Sequence, residues 1–276
     1  MRKETPTDYY DHYPTPDEME IKTNIDYILE DTIKRWTREW ERIEEMRDYL
    51  EKIKADKVIE IGRSPLPTEF GDFTYIIFGD YMSGEHHEVL LYGRENNIVE
   101  NMLCRMHSAC QTNETYHAIN CECRKELQES LQMIAENGAG MLLYLQQEGR
   151  GTGMNGKMHQ LNGMFRWNDN GIEQATDENG VRIDTDRAYK EAGFPSECRD
   201  FSVAGEIMRS LGIHSVRLIT NNPDKISQIE NCGIQVIPVG IHITPDNEII
   251  ASDLESKAKN LGHNIPKDKY TYENKN

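Results

Sequence analysis

A mixed α/β fold, with a sheet flanked by helices, follows from two features of the sequence. Short runs of consecutive apolar residues alternate with longer segments of helical period, the pattern of a sheet covered by helices. Glycine, Asn and Asp clusters also punctuate the ends of those runs, as turns between such elements require. At 276 residues the chain is long enough to bury a substantial core as one large domain with an appendage.

Strands are expected near Thr74–Phe78, Val89–Tyr92, Met141–Leu145, Val216–Ile219 and Gln235–Val239, where apolar residues are bounded by turn formers. Helices are expected over Arg124–Glu136, Ser202–Leu211 and Asp253–Leu261. In the first of these, Leu127, Leu131, Ile134 and Ala135 recur at helical intervals and Gly138 suits a C-terminal cap. Before them, Ile25, Ile28, Trp36, Trp40, Ile43, Leu50 and Ile53 recur at steps of three and four or their sums, which predicts one long amphipathic helix or two joined helices. Trp36 and Trp40, one turn apart, read as packing residues. Residues 1–60 are thus an N-terminal arm and helical extension, 61–265 the main domain and 266–276 a polar tail.

Lys and Arg number 31 against 48 Asp and Glu, a net charge of −17, which disfavours a nucleic-acid partner. Any anionic ligand must be met by a local basic cluster. The chain opens with the charged MRKETPTDYYDHYP and has no long apolar span, so neither a signal peptide nor a membrane partner is expected. A reducing cytoplasm fits the six cysteines best.

Cys110, Cys121 and Cys123 are spaced as Cys, ten residues, Cys, one residue, Cys. Three thiolates leave the fourth corner of a tetrahedral zinc ion free for water, as in a catalytic site, so hydrolysis is the expected chemistry. The alternatives are ordinary buried thiols, or a structural zinc with His107 or His117 as a fourth ligand. Cys121 and Cys123 lie at the start of the expected helix, where the dipole favours thiolate. After the strand MLLYL, the run QQEGRGTGMNGK brings Gly149, Gly151 and Gly153 with Arg150 and Lys157, and VRLITNNPDK repeats the theme with Thr220, Asn221 and Lys225. Both strand ends offer anion contacts.

RMHSAC, the CEC pair, QEGRGTG, DTDRAYKEAGFPSECRDF and RLITNNPDKI together resemble GTP cyclohydrolase II, the zinc enzyme that opens the guanine ring of GTP in the first committed step of riboflavin synthesis. The resemblance runs from about Leu66 to Leu261 and begins with LPTEFGDF and EVLLYG. It implies zinc on Cys110, Cys121 and Cys123, and nucleotide contacts at Arg105, Met106, His107, Ser108, Glu126, Glu148, Gly149, Arg150, Thr185, Thr220 and Lys225. Arg199 takes the place of the arginine proposed to attack the α-phosphate, and Glu197 that of an acid/base aspartate. The implied course is loss of pyrophosphate, hydrolytic opening at C8 and a second hydrolysis that releases formate, with Mg2+ assisting at the phosphates. A homodimer of cyclohydrolase II-like fold is implied as well.

Four positions depart from that pattern. Ala109 replaces a glutamate, Glu126 a glutamine, Glu197 the aspartate and Leu161 a tyrosine. An isobutyl group cannot donate a proton, so the formamide product is expected to be retained. Glu126 and Ala109 also leave open whether a related purine nucleotide replaces GTP. After Leu161, NGMFRWNDNGIEQATDENGVRI reads as an inserted loop, with Phe165 and Trp167 as a lid over the base or as a plain surface excursion. Tyr189 is a phenol that could replace the lost one. A binding module that keeps zinc without turnover is the alternative to an enzyme.

Overall fold

The computed structural model describes residues 57–93 and 100–272; the expected N-terminal helices and the end of the polar tail lie outside the described residues. Three strands, β1 (Val58–Thr68), β2 (Gly71–Asp80) and β3 (His86–Tyr92), pair antiparallel as a meander. There follow β4 (Met102–Ser108), a single turn α1 (Gln111–Glu114), α2 (Cys123–Glu136), β5 (Gly140–Leu145), α3 (Gly153–Met164), the pair β6 (Phe165–Asn168) and β7 (Gly171–Gln174), and α4 (Thr185–Glu191). The chain continues through α5 (Ser202–Ser210), β8 (Ser215–Ile219), α6 (Pro223–Asn231), β9 (Gln235–Val239) and α7 (Glu248–Asn260).

Seven strands form one sheet in the order β1-β2-β3-β5-β4-β8-β9. β5 is its seam, antiparallel to β3 on one side and parallel to β4 on the other, and β4, β8 and β9 run parallel. Central strands covered on both faces read as unbroken apolar runs, and β5 does so. In β4 the pattern is richer. Cys104 and Met106 join the core on the face covered by Phe201, Ala204, Ile207 and Met208 of α5 and its lead-in, while Leu103 packs on the opposite face with Leu131 and Ile134 of α2. The two-residue period of a strand therefore sends Arg105 and His107 toward the α2 side.

All five expected strands are present. β1 was hidden by Pro65 and Pro67, which break a strand pattern; β1 is an edge strand, where a missing N–H is tolerated. β4 was hidden because Arg105 and His107 interrupt its apolar run. α3, rich in glycine, was not anticipated. The stretch after Leu161 is not a loop: it completes α3 and forms the β6–β7 hairpin, with Trp167 opposite Ile172. α7 begins five residues before the expected Asp253, where the Asn247 side chain accepts a hydrogen bond from the Ile250 amide. No helix among the described residues is long and apolar enough to cross a membrane.

Gly140 is fixed by the β4–β5 register. It pairs with Leu103, and a Cβ there would lie 2.7 Å from the Leu103 carbonyl oxygen and 3.0 Å from Ile134. Gly140→Ala is expected to cost about 1–3 kcal/mol by overpacking a backbone that cannot yield. A thermal melt should show a midpoint lower by roughly 2–10 °C; an unchanged melt would contradict this register.

Candidate active site

One cavity opens at the carboxyl ends of β4, β5 and β8. Cys110 lies two residues past the end of β4, Cys121 lies in the loop after α1, and Cys123 opens α2. Their sulfurs lie within 4.8 Å of one another, with Cys110 Sγ 3.7 Å from Cys121 Sγ. Sulfurs bound tetrahedrally to one zinc at about 2.3 Å are spaced by about 3.8 Å, so the donor set fits that metal. Asn113 builds the arrangement: its amide donates to the Cys121 and Ala118 carbonyls, the former at 3.0 Å, and its oxygen accepts from the Arg124 amide at 2.6 Å. All six cysteines are free. Hydrogen bonds from Cys121 and Cys123 hold Cys110 as the thiolate, and the same contacts push the other two thiols up. The Lys157 ammonium sits 3.4 Å from Cys110 Sγ.

Among the described residues no histidine or carboxylate joins these thiols as a fourth ligand. His107 is committed elsewhere. Its Nε2 lies 2.7 Å from Glu114 Oε1, the hydroxyl of Tyr144 donates to the other Glu114 oxygen, and the two rings stack with centroids 5.7 Å apart. Burial lowers the His107 pKa, which favours the neutral ring.

Cations line another part of the wall. Arg105 donates to the Ile219 carbonyl at 3.1 Å and to Glu126 Oε2 at 2.5 Å. Lys225 donates to the Met106 carbonyl at 2.7 Å and lies 5.0 Å from the centre of the Phe201 ring. Burial, reinforced by Arg105 and Arg199, pushes its pKa well down. Arg199 donates Nε to Glu197 Oε1 at 2.7 Å and Nη1 to Ser108 Oγ at 3.2 Å, while its Nη2 meets the other Glu197 oxygen. Burial raises the Glu197 pKa, but the Arg199 contacts outweigh it and leave the carboxyl below its ordinary range. Thr220 and Asn222 also reach the cavity, and Asn222 caps α6 through its bond to the Asp224 amide, adding the positive end of a helix dipole.

The glycine turn joins the two parts. Gly149, Arg150 and Gly151 all have positive φ, at 63°, 55° and 85°. A Cβ on Gly151 would lie 2.8 Å from the carbonyl carbon of Cys198, so glycine is what lets the turn pass against the segment bearing Glu197 and Arg199. The Cys198 amide donates to the Arg150 carbonyl at 3.0 Å and closes that contact. Glu148 accepts from the Gln111 amide at 2.7 Å, and Thr185 enters from the first turn of α4.

Of the zinc, nucleotide-contact and catalytic residues that the resemblance implied, all line this cavity except Met106 and Glu197. The Met106 side chain belongs to the core, and only its carbonyl faces the site, through Lys225. Glu197 stands one layer back, behind Arg199. Phe165 and Trp167 do not reach the cavity, so they form no lid; Trp167 is 81% exposed. Leu161 does not line it either, whereas Gln160 and the buried Tyr189 do. Asn120, Glu122, Gln147, Asp253, Lys257 and His263 also line the wall. Of these, Asp253 and Lys257 look in sequence like an ordinary i,i+4 surface pair, and nothing marks them as cavity residues.

The family model described as GTP cyclohydrolase II matches residues 59–239. GTP cyclohydrolase-2 of Buchnera aphidicola subsp. Baizongia pistaciae (strain Bp) is 32% identical over 210 residues, 76% of this chain and 98% of that protein. GTP cyclohydrolase-2 of Pasteurella multocida (strain Pm70) is 32% identical over 209 residues, 76% of this chain and 89% of that protein. Riboflavin biosynthesis protein RibBA of Endomicrobium trichonymphae is 32% identical over 218 residues, and the match spans 78% of this chain but about half, 49%, of that protein.

The Arg105–Glu126 pair carries a pH signature. Burial raises the Glu126 pKa, but Arg105, with Lys257 and other neighbours, outweighs it and brings the carboxyl from 4.5 to about 2. A depressed carboxyl stabilises the fold above its unfolded pKa, and that contribution fades as the pH falls toward the folded value. Glu126→Gln is therefore expected to flatten the fall of the thermal midpoint between about pH 5 and about pH 3. Parallel curves for the two proteins would contradict the assignment.

Proposed function

Because this chain belongs to the GTP cyclohydrolase II family, we propose that it is a hydrolase that opens the imidazole ring of GTP with release of pyrophosphate, giving a ribosylamino-pyrimidinone 5′-phosphate. The observation that carries this reading is the convergence of three thiols with Arg105, Arg199 and Lys225 in one cavity.

Cys110, Cys121 and Cys123 are the residues to hold zinc. Zinc bound there supplies a Lewis acid and a water activated at neutral pH. The residues do the rest. Arg105, Lys225 and the amino end of α6 receive the triphosphate, whose charge is shared with Mg2+. Glu197 grips two nitrogens of Arg199 and so fixes the guanidinium beside Ser108; in this reading Arg199 attacks the α-phosphate and Glu197 takes its proton. Arg150, Gly149 and Thr185 bound the purine end, and His107, locked by Glu114, keeps one tautomer beside it.

Two product readings each rest on a specific observation. Leu161 lacks a phenol, which favours retention of the formyl group. Tyr189 brings a phenol into the cavity from α4, which favours the second hydrolysis and release of formate. Burial raises the Tyr189 pKa, so the hydroxyl stays a neutral donor. We place the chain in the cytoplasm as a homodimer, with a nucleotide as its ligand and neither nucleic acid nor membrane as a partner. Its product feeds riboflavin synthesis or a specialised pyrimidine pathway. The zinc-keeping binding module is the competing reading, favoured by the loss of a polar group at Ala109.

Incubation of the zinc-loaded protein with GTP and Mg2+ is expected to yield pyrophosphate and a pyrimidine nucleotide identified by mass, with formate measured in the same sample. Cys123→Ser should reduce bound zinc from about one per chain and lower turnover by about 100-fold or more. Zinc retained by the wild type with no consumption of GTP would sink the enzyme reading and leave the binding module.

A further inference from the structure

Two buried carboxylates in the cavity each carry one oxygen without a hydrogen-bond partner, Glu122 Oε2 and Asp253 Oδ1. Glu122 is 2% exposed and Asp253 3%. They come from different elements, Glu122 from the residue before α2 and Asp253 from α7. Their other oxygens are both taken by one ammonium: Lys257 bonds Glu122 Oε1 and lies 2.9 Å from Asp253 Oδ2. The guanidinium of Arg150 approaches the bare Asp253 oxygen only to 3.7 Å, beyond a hydrogen bond. A buried carboxylate oxygen left bare is costly, and a ligand that brings N–H donors removes that cost.

Lys257 clamps the two carboxylates side by side and has a third proton uncommitted. The cluster therefore holds two unpartnered acceptors and one donor in the cavity wall. Guanine presents the complement along one edge, with N1–H and the 2-amino group as adjacent donors and O6 as an acceptor. Adenine turns a lone pair at N1 toward such acceptors and has no donor at C2. Hypoxanthine keeps N1–H and O6 but lacks the 2-amino group. We propose that Glu122, Asp253 and Lys257 read the Watson–Crick edge of guanine and so set the base specificity of this site. This rests on the hydrolase reading only in taking a purine nucleotide as the ligand. It assigns to α7 a part in substrate choice, and it accounts for why a helix near the end of the chain buries an acid and a base in the cavity wall.

The test compares GTP, ITP and ATP on the wild type and on Asp253→Asn, reading kcat/KM and, in parallel, equilibrium binding by competition with a fluorescent guanine nucleotide. The wild type is expected to prefer GTP over ITP by about 10- to 100-fold, the worth of one or two donors meeting buried acceptors, and to reject ATP more strongly. In Asp253→Asn the GTP-to-ITP preference should collapse to within about threefold, because the loss falls on the substrate with the 2-amino group. Circular dichroism and zinc content verify that the variant is intact, and the wild-type comparison needs no variant. A wild type that binds GTP over ITP but turns over neither would defeat the hydrolase reading and support this one. A wild type that treats GTP and ITP alike or binds neither, an Asp253→Asn protein that keeps the preference, or a variant whose only change is its Mg2+ requirement, overturns it.

Discussion

The position of β4 between two layers of helices is the constraint on which this site depends. Its neighbours β5 and β8 run parallel to it, so its carboxyl end, together with theirs, opens into the cavity. Alternation along a strand allows Cys104 and Met106 to fill the core on one face only if Arg105 and His107 face the other. A guanidinium and an imidazole cannot be left dry and unpaired there. Arg105 finds the Ile219 carbonyl and Glu126, His107 finds Glu114, and the chain leaves the strand at Ser108 with Cys110 already beside the other thiols. A one-residue slip of β4 would exchange the core and the cavity wall.

The same burial explains how an acidic protein can hold a triphosphate. The overall charge of −17 repels it, but the groups proposed to meet it are withdrawn from solvent and held by fixed partners. Lys225 is the clearest case: burial and two neighbouring guanidinium groups disfavour its charge, and a phosphate bound beside it, as proposed, would favour that charge again. Preorganisation is purchased during folding, so little reorganisation remains at binding. Glu126 modulates this. A carboxylate on Arg105 offsets part of the positive field that a neutral glutamine would have left intact.

Much of this was legible because glycines and cysteines act through backbone geometry and atom type. The CEC pair and the run from Gly149 to Gly153 mark a thiol cluster and a tight turn without knowledge of the rest of the fold. β4 was not legible as a strand, because its alternation of apolar and charged residues resembles a half-solvated strand or a loop, and only the sheet order shows it to be central. α3 was missed because three glycines oppose helix propensity; two of them are there for contact, Gly156 lying under Thr152 and Gly163 against Ala188. Asp253 and Lys257 were invisible as cavity residues since i,i+4 pairs on a helix are usually solvated, and what buries this one is Glu122, more than a hundred residues earlier in the chain.

Leu161 and Tyr189 show why a site is judged by the wall its helices build together and not position by position. Gly163 has no side chain, and a Cβ there would lie 3.1 Å from that of Ala188, so α3 and α4 pack closely at the pair next to both residues. That approach makes the two helices one wall of the cavity, to which α3 contributes Lys157 and Gln160 and α4 contributes Thr185 and Tyr189. Tyr189 is 1% exposed, with the Arg150 guanidinium 5.7 Å from its ring centre. In the reading that keeps the second hydrolysis, Tyr189 would stand in from across the helix interface for the phenol that Leu161 lacks.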